Sequence, residues 1–440
     1  MFKSLKKAWS VPEIRKRILY TILLIVIFRL GSHISVPFVD FAKLDGMIQS
    51  SNEGLLGLVN LITGGAFSRL SIFAMSISPY ISASIIVQLL GMIFPNIEAM
   101  IKEGGDVGKR KIQTMQKAIA MVIAFVQGAG LYMFYSSHGV FVEKNMLTAA
   151  VVVMSFLAGV SFLSWMADDI TKKGLGNGMS TLIFVGCVAS IPNNLHLMIN
   201  KLVAGKTLNV DVLLMIIGVI FASLALITVV TYVHQAERRV PVQYAKKVVG
   251  RKMYGGQSTY IPLKLIMAGV MPIIFASAFI SFPAILINLF SADKIGTGGF
   301  LDKLYQFSVA TTMPNVSWGI LILHAVAYLV LIILFTFFYT FATFNPSEIS
   351  TNLKQNGGFI PGIRTGKPTT EYLTSIIVKL TTFGGLFLSL VAIIPMFTRG
   401  AEFGIAFGGT SILIIVGVAL EMITQMESLM VIRHHKGFLD

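Results

Sequence analysis

Lysine and arginine are concentrated in one stretch, residues 234–262, which reads HQAERRVPVQYAKKVVGRKMYGGQSTYIP. Side chains of this type attract anions, so the stretch suits the docking of an acidic partner or of anionic lipid. It lies between two long apolar segments, Val212–Tyr232 and Leu263–Phe290. A charged insert of this length does not cross a bilayer, because burying its charges in hydrocarbon is costly. Residues 234–262, here named the basic loop, must therefore project from one face of a membrane.

Residues of the kind used in catalysis form no comparable pattern. The sequence contains no nucleophile–base constellation and no cluster with metal-ligand spacing; His434 and His435 are an isolated pair near its end. The glycines of GLGNGMSTLIF, residues Gly174–Phe184, resemble a nucleotide-binding loop only superficially, because no strand precedes them. They favour a tight turn at the start of a helix, where Asn177 is suited to capping. The sequence thus predicts no enzyme, no metal site and no cofactor.

A third pattern is apolar and admits two interpretations. Ile77, Ile81 and Ile85 recur every fourth residue and so share one stripe of a helix. Such a stripe usually packs against neighbouring helices or lipid. The segment before it, from Asn60, is short and interrupted by glycine. An irregular piece at membrane depth survives only inside protein or water, so this segment is either a re-entrant element in a cavity or an ordinary extracellular lead-in.

The elements that must position these residues follow from composition. The 440 residues are 55% hydrophobic and 12% charged, as expected for a polytopic membrane protein. The net charge of +15 would suggest a nucleic-acid partner in a soluble protein, but here the cations fall in loops. A span needs about 20 mainly apolar residues. This criterion predicts ten spans: Ile18–Val36, Ile72–Phe94, Met115–Tyr135, Met146–Met166, Met179–Pro192, Val212–Tyr232, Leu263–Phe290, Val316–Ala342, Tyr372–Pro395 and Ile405–Met430.

The distribution of lysine and arginine among the loops predicts the orientation of these spans. Most lysines and arginines fall on one side of the predicted spans: in the N-terminal segment, the loops around residues 102–111 and 172–173, the basic loop, a turn-rich second insert at residues 344–371, and the C-terminal tail. The loops on the opposite side carry fewer. Because lysine and arginine are retained on the cytoplasmic side, both termini should lie there. Ten spans divide into five and five, residues 1–205 and 206–440. With an odd number of spans in the first half, the second half enters the membrane from the opposite face, as in an inverted repeat.

Several long blocks of the chain, in order, resemble the SecY family, the channel subunits of bacterial protein-conducting translocons. These blocks are FSRLSIFAMSISPYISASIIVQLL, QAERRVPVQYAKKVVGRKMYGGQSTYIPLK, AGVMPIIFAS, FNPSEISTNLKQNGGFIPGIRTG and FGGTSILIIVGVAL. The resemblance covers essentially the whole chain. It implies an all-α fold of ten transmembrane helices in two inverted five-helix halves, with a channel between the halves and a re-entrant plug helix near residues 60–70.

The resemblance also implies roles for particular residues. The family's apolar constriction ring maps onto six positions, here named the constriction residues: Ile77, Ile81, Met179, Ile183, Ile274 and Ile414. Met179 departs from the family, whose ring is mostly isoleucine. The plug maps onto Asn60, Thr63, Gly64, Gly65, Phe67 and Arg69. The docking surface for the ribosome and for the SecA motor maps onto Arg238, Arg239, Lys246, Lys247, Arg251, Lys252 and Arg364.

The function implied is passage of unfolded secretory polypeptides across the bacterial cell membrane and lateral release of apolar segments into the lipid bilayer. The implied partners are SecE, SecG, SecA, the ribosome with its ribosomal RNA, signal peptides and nascent chains. An inverted repeat alone would equally allow a secondary transporter of a small solute, which needs a polar site near the midplane. The sparse charges within the spans and the large basic inserts weigh against that alternative.

Overall fold

A computed structural model describes residues 9–44, 65–102, 105–137, 139–203, 210–244, 247–249, 252–254, 258–290, 298–310, 316–397 and 409–436. The plug residues Asn60, Thr63 and Gly64 lie outside these ranges, as do Lys246 and Arg251 of the basic loop. The proposed boundary between the halves, at residues 205 and 206, also lies outside them, so the division into two halves stays a prediction.

Each of the ten predicted spans contains one helix. In the first half these helices are α1 (Pro12–Gly31), α2 (Ser78–Ile93), α4 (Gly105–Ser137), α5 (Met146–Lys173) and α6 (Gly178–Val203), with a short α3 (Pro95–Lys102) between the second and third. In the second half they are α7 (Val210–Gln235), α8 (Met271–Phe290), α10 (Trp318–Thr343), α12 (Lys367–Phe397) and α13 (Gly409–Lys436). The second half also contains the shorter helices α9 (Phe300–Ser308) and α11 (Pro346–Gln355). Five of the described helices, α4, α5, α10, α12 and α13, are long and apolar enough to cross a membrane.

Two helices begin six or more residues later than the spans predicted from the apolar sequence. Residues 72–77 form turns, and α2 starts at Ser78 with a proline in its first turn, a position that suits proline because no helical partner is lost there. The seventh span begins at Met271 because Leu263 belongs to a strand. In both places, the apolar residues that made the predicted span too long belong instead to the non-helical segment that precedes the helix.

Strands form in the basic loop, a feature that the span pattern does not contain. They are β1 (Glu237–Tyr244), β2 (Lys247–Val249), β3 (Lys252–Tyr254) and β4 (Ser258–Lys264), and a two-residue β5 (Gly358–Phe359) comes from the second insert. The antiparallel order β4–β1–β5 joins the two inserts in one sheet, and β2 pairs with β3. The register places Arg239 opposite Pro262 and Gln243 opposite Phe359.

The sheet has its own apolar core, separate from that of the helices. Val240 and Val242 alternate with exposed residues along β1, so one face of the strand is buried and the other faces outward. The buried face packs on Leu353 of α11, Ile360 and Leu373. Asn345 caps the start of helix α11, since its side chain accepts a hydrogen bond from the Ser347 amide at 3.1 Å. The two inserts therefore form one small domain-like platform.

The main core joins helices from both predicted halves. A single hydrophobic cluster contains buried residues of α1, α2, α5 and α6 together with residues of α8, α10, α12 and α13. Helix α8 packs against α2 and α4, and α13 packs against α6. The two sets of helices thus meet along two seams, with the apolar cluster between them.

Candidate functional site

The six constriction residues all belong to this cluster or pack against it. Five of them are buried members, with Ile77 at 2% exposed and Ile274 at 9%, and Met179 packs against them. They come from four parts of the chain: α2 with the turn before it, α6, α8 and α13. The structure therefore brings these residues together from both predicted halves. Their role as a ring around a channel is not tested by this placement and stays a prediction.

A small cavity of about 10 Å³ opens among them. Four of the constriction residues line it, together with Met271 and Phe275 of α8 and two serines; the four are Ile81, Met179, Ile183 and Ile274. This volume is close to the minimum that holds one water molecule. Ile77 and Ile414 do not line the cavity but belong to the surrounding cluster.

Two of the described lining residues are serines, but the surface of the cavity itself is entirely apolar. Ser84 of α2 accepts weak hydrogen bonds from the side chains of Gln88 and Gln116, at 3.4 and 3.5 Å. Ser180 of α6 is fully buried, and its hydroxyl has no hydrogen-bond partner in the described part of the chain. Sequence reasoning missed Ser180 as a lining residue. The signal was its position immediately after Met179, at the start of a helix.

The chemistry of this constriction is that of hydrocarbon. None of the six side chains carries a charge or a hydrogen-bonding group, so they offer an ion nothing to replace its water. In the described ranges no group of three or more histidine, cysteine, aspartate or glutamate side chains could hold a metal ion. An apolar constriction of this kind excludes water and ions, and it makes no chemical demand on a polymer that passes through it.

A pair of opposite charges near the constriction was not expected from the spans. Lys117 of α4 and Asp168 of α5 form a salt bridge of 2.5 Å, in which the carboxylate is largely buried. The next residue, Asp169, binds Lys173 at 3.0 Å and accepts a hydrogen bond from Tyr20 of α1. The signal in the sequence was the pair Asp168–Asp169 directly after the fourth predicted span, at the edge of the membrane, where acidic residues need partners.

The described end of the predicted plug, residues 65–70, forms turns and no helix. Gly65 has φ +88°, a conformation that favours glycine. Phe67 is buried and its ring lies 6.0 Å from that of Tyr135 on α4, whereas Arg69 is exposed. The amide of Val36 donates to the carbonyl of Leu70 at 2.9 Å. The end of this segment is thus attached to the chain that follows α1.

The platform presents its cations outward. Arg238, Arg239 and Arg364 are exposed, and the backbone of Lys247 and Lys252 belongs to the β2–β3 hairpin. The Arg239 Nε donates to Glu237 at 2.7 Å, and the guanidinium lies 4.8 Å from the centre of the Tyr260 ring. The hydrogen bond to Glu237 raises the pKa of Arg239, so the group stays charged. Pairing β1 with β5 brings Arg364 and the basic loop onto one platform.

Comparison with known proteins gives consistent results. A model of the SecY family matches residues 71–423. The protein translocase subunit SecY of Streptomyces coelicolor is 39% identical over 454 aligned residues, which cover 100% of both chains.

Two solved structures share the fold. One concerns the plug domain of the SecY protein, which stabilises the closed state of the translocation channel and maintains a membrane seal. Its TM-score is 0.66 at 18% sequence identity, and the alignment covers 96% of each chain. The other is Sec61 in the canine ribosome–channel complex from the endoplasmic reticulum, with a TM-score of 0.63, 19% identity and 96% of both chains covered.

Proposed function

This chain belongs to the SecY family, and on that basis we propose that it is the channel subunit of a protein translocase. It passes unfolded secretory polypeptides across a membrane and releases apolar segments sideways into lipid. The observation that carries this proposal is the meeting of six apolar side chains from both predicted halves in one buried cluster.

The constriction residues act as the seal of the resting channel. A narrow apolar passage resists wetting and blocks ions by denying them hydration. Methionine and isoleucine offer no directional bonds, so the same side chains fit around any unfolded chain. Separation of α8 from α2 and α4 would open the seam toward lipid, where burial of an apolar segment is favourable. One constriction then serves both secretion and membrane insertion.

The plug occupies residues 60–70 and blocks the channel from the side opposite the basic loop. Support comes from its described end, where Phe67 is buried against Tyr135 and the backbone is attached next to α1. Gly65, whose φ is +88°, allows the backbone to turn at this described end. A related SecY structure concerns a plug with this sealing role.

The platform is the docking surface for soluble partners. Exposed arginines on β1 and the second insert suit the ribosome, because ribosomal RNA is a polyanion. A structural relative, Sec61, is found in a ribosome–channel complex. The SecA motor uses the same surface when chains are moved after synthesis, and SecE and SecG associate with the helices. Signal peptides and nascent chains enter between the halves.

The chain is a multi-pass membrane protein, and we assign it to the bacterial plasma membrane with both termini in the cytoplasm. The support for this orientation is the excess of lysine and arginine in the N-terminal segment, the basic loop and the second insert. The platform then faces the cytoplasm, where ribosomes and the motor are found.

The alternative of a secondary transporter finds no support in the site. Such a protein binds its solute through polar groups near the midplane. The cavity at the centre of this chain measures about 10 Å³ and is lined mainly by hydrocarbon.

Photocrosslinking of a stalled secretory chain tests the proposal directly. A photoreactive residue at Ile274 should crosslink to the stalled chain, because this position lines the cavity. The same probe at Leu323 of α10, which is 60% exposed on the outer surface, should crosslink only to lipid. Equal crosslinking of the stalled chain to probes at both positions, or no crosslinking to a probe at Ile274, would show that the channel does not pass Ile274.

Ion leak through reconstituted vesicles tests the seal separately. Ile414→Asn introduces an amide that binds water, so resting conductance should rise and signal selection should loosen. Ile414→Leu keeps an apolar side chain and should leave both unchanged. Unaltered conductance in the asparagine variant would remove Ile414 from the seal while leaving the crosslinking result intact.

A further inference from the structure

Helix α13 approaches the start of α8 too closely for a side chain to stand between them. A Cβ added to Gly417 of α13 would lie 2.3 Å from Cγ1 of Val270, well inside van der Waals contact. The other neighbours have room: the Val270 Cβ would be 3.6 Å away and the His234 Nε2 3.5 Å away. The Cγ1 methyl group of Val270 therefore occupies the space that a side chain at position 417 would need.

Both residues lie one helical turn from a constriction residue. Gly417 follows Ile414 by three residues on α13, and Val270 precedes Ile274 by four residues at the start of α8. Residues at these spacings lie on the same face of a helix. The amide of Ile274 points to the carbonyl of Val270 at 3.4 Å, so helical geometry already links this pair. The contact between Gly417 and Val270 therefore joins α13 to the turn that leads into α8, one helical turn from Ile414 and Ile274.

The glycine at this position is not required by its backbone conformation. Gly417 lies inside α13 and has no positive φ. A glycine inside a helix is intrinsically unfavourable relative to alanine, because it loses more conformational freedom on folding. The residue is explained by the space that Val270 fills, since Val270 is only 3% exposed.

We propose that Gly417 is a positioning residue for the channel seal. By letting α13 lie directly on Val270, it holds Ile414 and Ile274 together at the constriction. The inference rests on the proposed function of the constriction residues. A side chain at position 417 would displace Val270 and, through it, the start of α8 that carries Ile274, because a close-packed interior transmits strain to its neighbours.

The test combines one substitution that should disturb the contact with a second that should restore it. Gly417→Ala should raise the resting ion conductance of reconstituted vesicles several-fold. Adding Val270→Ala removes the Cγ1 methyl group that obstructs the new Cβ, so the double variant should return toward the conductance of the unmodified channel. Gly218→Ala is the matched control, because an added Cβ at Gly218 of α7 meets nothing within 4 Å.

A second measurement reports geometry and does not depend on the seal. With Cys187 replaced by serine, oxidation of the Ile274→Cys and Ile414→Cys pair should form a crosslink when position 417 is glycine. It should form several-fold more slowly with Gly417→Ala, and Val270→Ala should restore the rate. The crosslinking rate reports only the positioning role of Gly417, so it distinguishes an error in that role from an error in assigning the constriction as the seal.

Three results would overturn the proposal. The first is the absence of the crosslink when position 417 is glycine, which would show that the two isoleucines do not meet. The second is an unchanged crosslinking rate in Gly417→Ala. The third is a defect of Gly417→Ala, in conductance or in folded yield, that Val270→Ala fails to correct.

Discussion

The ring of Phe73 fills the space that a side chain at Gly31 would need, since a Cβ on Gly31 would lie 2.1 Å from the Phe73 Cε2. The same ring stacks between two others, with centroids 5.9 Å from Phe28 of α1 and 6.0 Å from Phe162 of α5. Phe73 precedes Ile77 by four residues. The aromatic stack thus fixes the approach to α2 between α1 and α5, directly beside the constriction.

Gly31→Ala should destabilise the protein. The new methyl group would force Phe73 out of its stack, and overpacking of this kind typically costs about 1–3 kcal/mol. The midpoint of thermal unfolding in detergent should fall, as followed by tryptophan fluorescence. Gly218→Ala, which has open space around the added Cβ, should leave the midpoint unchanged or raise it slightly. An equal midpoint for both variants would show that Phe73 yields without cost.

Asp168→Asn should destabilise the packing of α4 against α5. Lys117 would lose its counter-charge at 2.5 Å while part of its side chain remains buried. Breaking a partly buried pair from one side costs roughly 1–3 kcal/mol, because the remaining charge is left unpaired. The double variant with Lys117→Met should recover much of the loss, as measured by unfolding in denaturant. If the two effects simply add, the bridge contributes nothing to stability.

Val242→Asp should loosen the platform without opening the channel. Val242 is fully buried under the sheet, and an unpaired carboxylate there costs several kcal/mol. Trypsin should then cut faster after Arg238 and Arg239, while ion conductance stays at its resting value. Gln243→Asp, one residue further along the strand and exposed, is the control and should behave like the unmodified protein. Equal cleavage of both variants would argue against an independent core beneath the sheet.

Arg364→Glu should weaken coupling to the SecA motor. Reversal of one exposed charge in a docking surface costs on the order of 1 kcal/mol, so motor-driven transport should fall by roughly threefold to tenfold. The loss should shrink at high salt, where charges are screened. Arg364→Lys keeps the charge and should retain most of the activity. Full transport by the glutamate variant, with the channel correctly folded, would remove Arg364 from the docking surface.

The sequence by itself determined the membrane class, the ten helices and the family resemblance. These properties are local: a span is recognised from the apolar content of about 20 consecutive residues, and each predicted span contains a helix. The later starts of α2 and α8 show the limit of that local rule. Whether Ile72 or Leu263 enters a helix depends on what packs against it, and hydropathy does not record this.

Only the tertiary structure decided which distant residues meet. The pairing of Gln243 with Phe359 joins two inserts into one platform, and no periodicity in either insert predicts that register. The close approaches of Gly31 to Phe73 and of Gly417 to Val270 also join residues far apart in the chain. Strand pairing and helix packing depend on the shape of both partners. The sequence therefore named the constriction residues by resemblance, while the three-dimensional packing explains what holds them together.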